Sequence, residues 1–305
     1  MFTDRIIGKL RGEEEGAMLI VIGGVHGNEY AGVDATAKVF RRLRDEMGRD
    51  PGIKMKGIFL GLIGNRLARK ASRRFIKKDL NRQWYEENVG RIFSAPEELL
   101  DEEDKELKAL LTIISSEIIQ EKPSRIVILD LHTTSAEGGV FSIVDDQPES
   151  LNIALGFGAP VIRGLYQIFD GTILRFFNGS NFGIPTTALA FEAGQHDDPL
   201  ALNRSESAIL HLLHYTGLVQ EHLQADLTTP KPAMVAEITY AHHITPEDHF
   251  SMKPGFKNFQ HVREGEIIAT DIKGEIAAPY DCRILMPLYQ KQGSDGFFLI
   301  KEMQP

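Results

Sequence analysis

The stretch that most restricts this chain is 17–25, AMLIVIGGV, apolar at every position until two glycines close it. A strand with one wet face alternates apolar and polar residues. An unbroken apolar strand has to be covered on both faces, as in a sheet sandwiched between helices. The residues that follow agree. Val33, Ala37, Phe40, Leu43 and Met47 recur at helical spacing up to the break at Asp50-Pro51-Gly52. Residues 54–63 read as a strand, as do 125–131 (RIVILDL), with 140–144 its expected neighbour, and 186–191 (TTALAF). Ser94-Ala95-Pro96-Glu97 has capping-box spacing and is expected to open a helix that buries Leu100, Leu107, Leu111, Ile114 and Ile118. A last long helix is expected over about 199–218. This alternation predicts an α/β fold with a mixed sheet flanked by helices.

Past Leu218 the texture changes. Residues 224–233 (QADLTTPKPA) read as a linker, and from Met234 short runs between Gly, Asp and Pro suggest a small all-β module. The expected organisation is a catalytic domain over 1–223, with the linker and a C-terminal β domain over 224–305. The charge balance, 34 − 43 = −9, argues against the basic face that nucleic-acid binding uses. The longest apolar run is far short of a membrane span, and the N-terminal residues lack a secretory pattern, so the cytoplasm is the default expectation. A single cysteine, Cys282, leaves no internal disulfide and no cysteine-built metal site.

In α/β proteins ligands collect where strands run out. Three strand ends here carry chemistry: Gly-Gly-Val-His26-Gly-Asn-Glu29, Asp130-Leu-His132-Thr-Thr, and Phe-Glu192-Ala-Gly194. His26 and Glu29 can face one side of a turn, and with His132 they supply two imidazoles and a carboxylate. That set, with one position left for water, is how catalytic zinc is held. Gly23, Gly24 and Gly27 are expected to let the backbone pack closely around the ion. Glu192, among small and apolar neighbours, is either a base for water or a strand-end carboxylate in a salt bridge. The basic island 65–84 reads mostly as solvated charge, but Asn81-Arg82 after Asp79-Leu80 suits a clamp on a carboxylate. His242, His243 and His249 lack a fixed ligand spacing and are expected on a polar loop.

Taken in order, GGVHGNEYAG, RFIKKDLNR, ILDLHTT and FEAG resemble the succinylglutamate desuccinylase/aspartoacylase family, zinc amidohydrolases related to the M14 carboxypeptidases. The resemblance covers nearly the whole chain. It implies one zinc per chain on His26, Glu29 and His132, with Glu192 as general base and then acid. Arg74 would polarise the scissile carbonyl, and Asn81 and Arg82 would grip the substrate's carboxylate. Asp130 would be either an acceptor behind His132 or an ordinary strand-end aspartate. Two departures stand out. Phe182 occupies the position of a further substrate arginine of aspartoacylases, for which Arg163 or Arg175 are conceivable stand-ins. No hydroxyl is available at Gly296-Phe297-Phe298, where aspartoacylases place a tyrosine.

The expected activity is therefore zinc-dependent cleavage of a small carboxylate-bearing amide, an N-acyl amino acid or a relative of one, not specific for N-acetylaspartate. The alternatives are a zinc carboxypeptidase acting on short peptides and a non-catalytic metal-binding or interaction protein. A homo-oligomer is left open.

Overall fold

In the computed structural model, which describes residues 5–178, 182–219 and 234–303, the apolar run lies inside a sheet, as its composition requires. The chain enters along β1 (Ile6–Arg11) and turns into β2 (Glu14–Gly23), buried from Ala17 onward. Then come α1 (Ala31–Arg49), β3 (Lys56–Ile63), the short α2 (Arg66–Lys70), α3 (Glu86–Ser94) and α4 (Glu102–Glu121). Next are β4 (Ile126–Thr134), buried throughout, β5 (Val140–Ile143), α5 (Pro148–Leu155), β6 (Val161–Arg163), α6 (Leu165–Ile168) and α7 (Ile173–Asn178). Strand β7 (Thr186–Gln195) and helix α8 (Ala201–Tyr215) follow. The C-terminal part holds β8 (Val235–His243), β9 (Ser251–Met252), β10 (His261–Val262), β11 (Ile267–Asp271), β12 (Gly274–Ala277), β13 (Cys282–Leu285) and β14 (Asp295–Glu302).

Eleven strands form one mixed sheet in the order β1-β3-β2-β4-β7-β5-β6-β8-β14-β13-β10, and β12-β11-β9 form a second. Its central pairs, β3/β2, β2/β4 and β4/β7, are parallel. Side chains alternate across the sheet. Leu19, Val21, Val127, Leu129 and Leu131 pack under α1 and α8, whereas Met18, Ile20, Ile22, Ile126 and Ile128 pack under α4. No helix among the described residues is long and apolar enough to cross a membrane.

Three expectations need correction or extension. Strand β5 pairs with β7, not β4, because β7 is inserted between them. The cap of α4 is Asp101, whose side chain accepts from Asp104 N at 2.9 Å, while Ser94 ends α3. Ala95 and Pro96 are extended and only a single 3-10 turn, Glu97–Leu99, follows them, while the acidic cluster Glu102, Glu103 and Asp104 supplies a better helix start. Finally, β8 pairs with β6 in parallel and with β14 antiparallel, so strands beyond residue 224 extend the main sheet. The expected linker, 224–233, lies outside the described residues.

Candidate active site

Two features of the sheet bring the expected residues together. Gly23 ends β2 with backbone against backbone: a Cβ there would meet Gly32 C at 2.7 Å. At Gly27 a Cβ would meet Ala68 C at 2.1 Å. Their smallness thus lets the backbone pack closely and seats the β2–α1 turn against α1 and α2. The turn carries His26 and Glu29. Across the sheet, the register of β4 and β7 pairs His132 with Glu192, so both project from the same face, two residues on from Asp130 and Ala190.

His26, Glu29 and His132, all buried, offer ligand atoms within 4.8 Å of one another. His26 Nδ1 lies 2.9 Å from Glu29 Oε1, and His132 Nδ1 lies 3.0 Å from Glu29 Oε2, which also accepts from Thr133 N at 3.0 Å. The outer nitrogen of each ring meets a further carboxylate: His26 Nε2 is 3.1 Å from Asp79 Oδ1, and His132 Nε2 is 2.8 Å from Asp130 Oδ2. A carboxylate beside the outer nitrogen, hydrogen-bonded at His26 and in ion-pair contact at His132, favours the proton on that side and leaves the inner lone pair free, the arrangement that orients histidine ligands in metal sites. Inward lone pairs of two rings converging on an acidic side chain call for a cation among them. The donor set of two nitrogens and a carboxylate suits zinc, so these residues fit the ion the resemblance implies.

The electrostatics divide the carboxylates. Burial alone would raise Glu29, but His26 and His132 outweigh it and hold Glu29 well below the usual range. Asp79 behaves likewise: burial opposes ionisation, and Arg74 with His26 overcomes it. Burial would lower His132, yet Asp130 and Glu29 raise it well above the ordinary imidazole value. Glu192 is the exception. Desolvation pushes its carboxyl up to about 8, and its Oε2 is buried without a hydrogen-bond partner among the described residues. A carboxyl poised there, beside a triad that could hold a metal ion, has the properties of a group that takes and gives protons near neutrality.

The basic island is less solvated than its composition suggests. Buried Glu103, in the first turn of α4, accepts from Ile76 N at 2.7 Å, Lys77 N at 3.0 Å and Asn65 Nδ2 at 3.1 Å. Lys78 Nζ reaches Asp104 at 2.6 Å and Asp101 at 2.8 Å. These contacts seat the segment that delivers Arg74, Asp79, Asn81 and Arg82. Arg74 donates from Nε and Nη2 to Asp79 Oδ2 at 3.2 and 3.0 Å, with Nη1 3.6 Å from Glu29 Oε1. Asn81 Oδ1 accepts from Ile173 N at 2.9 Å, and Arg82 Nη2 donates to Asp295 Oδ2 at 2.7 Å.

All seven expected residues, His26, Glu29, Arg74, Asn81, Arg82, His132 and Glu192, line one cavity of about 110 Å³. Arg163 and Arg175 do not; they pair with Asp146 at 2.6 Å and with Asp170 at 2.5 Å. Phe182 stacks on Phe177, 5.3 Å between centroids, and Phe298 lines the cavity. His242 and His243 lie on β8, not in a loop, and no second metal-holding group occurs among the described residues. Three contributors escaped the sequence reading. Asp79 sits inside a quoted motif and was detectable there, Thr133 acts through its backbone, and Asp295 arrives from a strand with no local signal.

Residues 15–177 match the family described as succinylglutamate desuccinylase/aspartoacylase catalytic domain. A protein of Nostoc sp. described as a probable aspartoacylase is 29% identical over 175 residues, 56% of this chain and 55% of that protein. The match thus spans little more than half the length of that relative. Among solved structures, a succinylglutamate desuccinylase from Vibrio cholerae superposes with TM-score 0.69 at 14% identity, covering 95% of this chain and 82% of its own. A succinylglutamate desuccinylase/aspartoacylase from Rhodobacter sphaeroides gives 0.68 at 17% identity, covering 97% and 88%. At such identities these likenesses show the shared fold. The match over more than half of the sequence, running from β2 into α7, makes this chain a member of the succinylglutamate desuccinylase/aspartoacylase family.

Proposed function

We propose that the protein is a zinc-dependent amidohydrolase that cleaves the linear amide bond of a small N-acyl amino acid or a related amide, with the cytoplasm its expected compartment. The observation that carries this reading is Glu192: a buried carboxyl raised to about 8 and register-paired with a residue of the His-Glu-His group. Family membership and the names of the relatives support the same reaction class.

One zinc ion, held by His26, Glu29 and His132, would supply Lewis acidity that acidifies water and polarises a carbonyl. Glu192 accepts the proton released by the attacking water and returns it to the leaving nitrogen. Arg74 stays cationic, since Asp79 and Glu29 outweigh the effect of its burial, and steadies the negative charge that develops on the carbonyl oxygen. Asp79 holds both His26 and Arg74, so one carboxylate fixes a metal ligand and the charge stabiliser together. Asn81 and Arg82 orient the substrate's carboxylate.

Size and walls favour a small substrate over a peptide. The segment 286–294 supplies Met286, Leu288, Gln290, Gly293 and Ser294 to the cavity lining and is tied down by Asn28 Nδ2 donating to Gln290 Oε1 at 3.0 Å, Tyr289 N to Ser135 Oγ at 3.1 Å, and Gln292 Nε2 to Phe75 O at 3.2 Å. The aromatic packing of Phe182 supports a substrate other than N-acetylaspartate. The test is metal analysis of the purified protein, then turnover of a panel of N-acetyl amino acids and short peptides. Stoichiometric zinc with turnover of N-acyl amino acids is the expected result. Turnover of peptides alone, or none by zinc-loaded protein, refutes the deacylase reading, and a clear preference for N-acetylaspartate refutes its specificity.

A further inference from the structure

The cavity has two unlike walls. One carries the charged groups described above. The other is apolar, built by Ile143, Leu165, Phe169, Leu174, Met286 and Phe298. Arg82 stands between them, and most of its capacity is already committed. Its Nη1 donates to Asn81 O at 2.9 Å, its Nη2 to Asp295 Oδ2 at 2.7 Å, and its plane lies over the Phe169 ring, 4.0 Å from the centroid. Asp295, the first residue of β14, is held from behind as well, with Oδ1 2.8 Å from His243 Nδ1. Its side chain is 11% exposed, so water screens this pair far less than a surface pair.

We propose that Asp295 determines specificity: seated on Arg82, it cancels the charge that would draw a second acidic group into the cavity, and turns the site toward N-acyl amino acids with uncharged, apolar side chains. The inference rests on the deacylase reading. Of the five N–H groups of a guanidinium, those not spent on Asn81 and Asp295 still orient one carboxylate. A second carboxylate would come against Asp295 itself, and like charges in contact are strongly disfavoured. The apolar cluster of the lining offers it only hydrocarbon and aromatic carbon. Specificity would then come from a repulsive element as much as from an attractive one.

The test compares kcat/KM of the zinc-loaded full chain for N-acetyl-leucine and N-acetylaspartate. Wild type is expected to favour N-acetyl-leucine. Asp295→Asn should raise the aspartate-to-leucine ratio about tenfold or more, mainly through a lower KM for N-acetylaspartate. Asp295→Glu, which keeps the charge, should stay near the wild-type ratio. A readout independent of turnover is thermal stabilisation of the metal-free protein by L-aspartate and L-leucine, in which Asp295→Asn should gain response to L-aspartate. Should Asp295→Asn not fold, His243→Ala, which removes the support behind Asp295, is expected to shift the ratio in the same direction. An unchanged ratio with turnover retained overturns this inference alone, and a wild type that already prefers N-acetylaspartate overturns it together with the proposed specificity, while the deacylase reading stands. Absence of turnover on every N-acyl amino acid overturns the deacylase reading and this inference with it.

Discussion

At one end of the cavity, His26, Glu29 and His132 come from the β2–α1 turn and from β4, adjoining pieces of a single parallel ladder. At the other end, Arg82 comes from the segment before α3, and its partner Asp295 from β14, five strands away from β4 in the sheet order. The first end is rigid because each ligand is held from behind: Asp79 behind His26, Asp130 behind His132, Thr133 N on Glu29. The second depends on one ion pair between distant parts of the chain. On the proposed reading, chemistry is fixed by neighbouring strands, and substrate choice by where the sheet is extended. Altering the ligand end should change whether the protein works, and altering the far end should change on what.

The largest effects are expected among the ligands. His132→Ala or His26→Ala should lose stoichiometric metal and turnover together, read by elemental analysis beside the amide assay. A variant that keeps both would break the comparison at its root. Glu192→Gln should separate the two properties, keeping the metal while turnover falls ~10²–10⁴-fold. Near-normal rates in that variant would remove Glu192 from the reaction.

How much of this was legible in the sequence follows from the same division. His26 and Glu29 are three residues apart in one turn, and the all-apolar strands announce a sheet covered on both sides, so the fold class and this half of the candidate ligand set could be read locally, whereas His132 comes from a strand end 103 residues beyond Glu29. Glu192 was readable as a strand end, but its pairing with His132 depends on β7 lying beside β4. Strand order in a parallel sheet is set by how crossovers pack, and 140–144 gave no sign that its partner would be β7. The start of α4 was misread because Ser94-Ala95-Pro96-Glu97 has the right spacing, yet Ala95 and Pro96 are extended and Asp101 caps instead. The basic residues looked solvated because the carboxylates that bind them, Glu103 and Asp104, belong to a helix further along the chain. Asp295 lies 213 residues from Arg82, and no spacing rule reaches that far.

Asp79 gives a gentler test of rigidity at the ligand end. Asp79→Asn leaves the three ligands in place but weakens the hold on His26 and Arg74. Metal affinity should fall by ~10–100-fold, measured by competition with a chelator, and turnover at saturating zinc should fall too because Arg74 is less well placed. Unchanged affinity would mean that His26 is positioned by the turn alone.

The smallest effect concerns stability and isolates Glu192 without any substrate. Its folded carboxyl titrates at about 8 against an ordinary 4.5. Between those values the folded protein holds a proton that the unfolded chain has released, so stability falls as pH rises. The contribution is complete below the unfolded value and lost as pH passes through the folded one. His132, raised in the fold, acts in the same direction, whereas Glu29 and Asp79, held low, lose their contribution only at the acid end. Those three are present in both wild type and Glu192→Gln, so the difference between the two proteins reports Glu192 together with its electrostatic coupling to His132 and Glu29. Metal-free wild type should lose Tm more steeply than Glu192→Gln between about pH 5 and about pH 9, by a few degrees over the range. Parallel melting curves would show that Glu192 ionises as freely in the fold as in water, and the proton carrier would have to be sought elsewhere in the cavity.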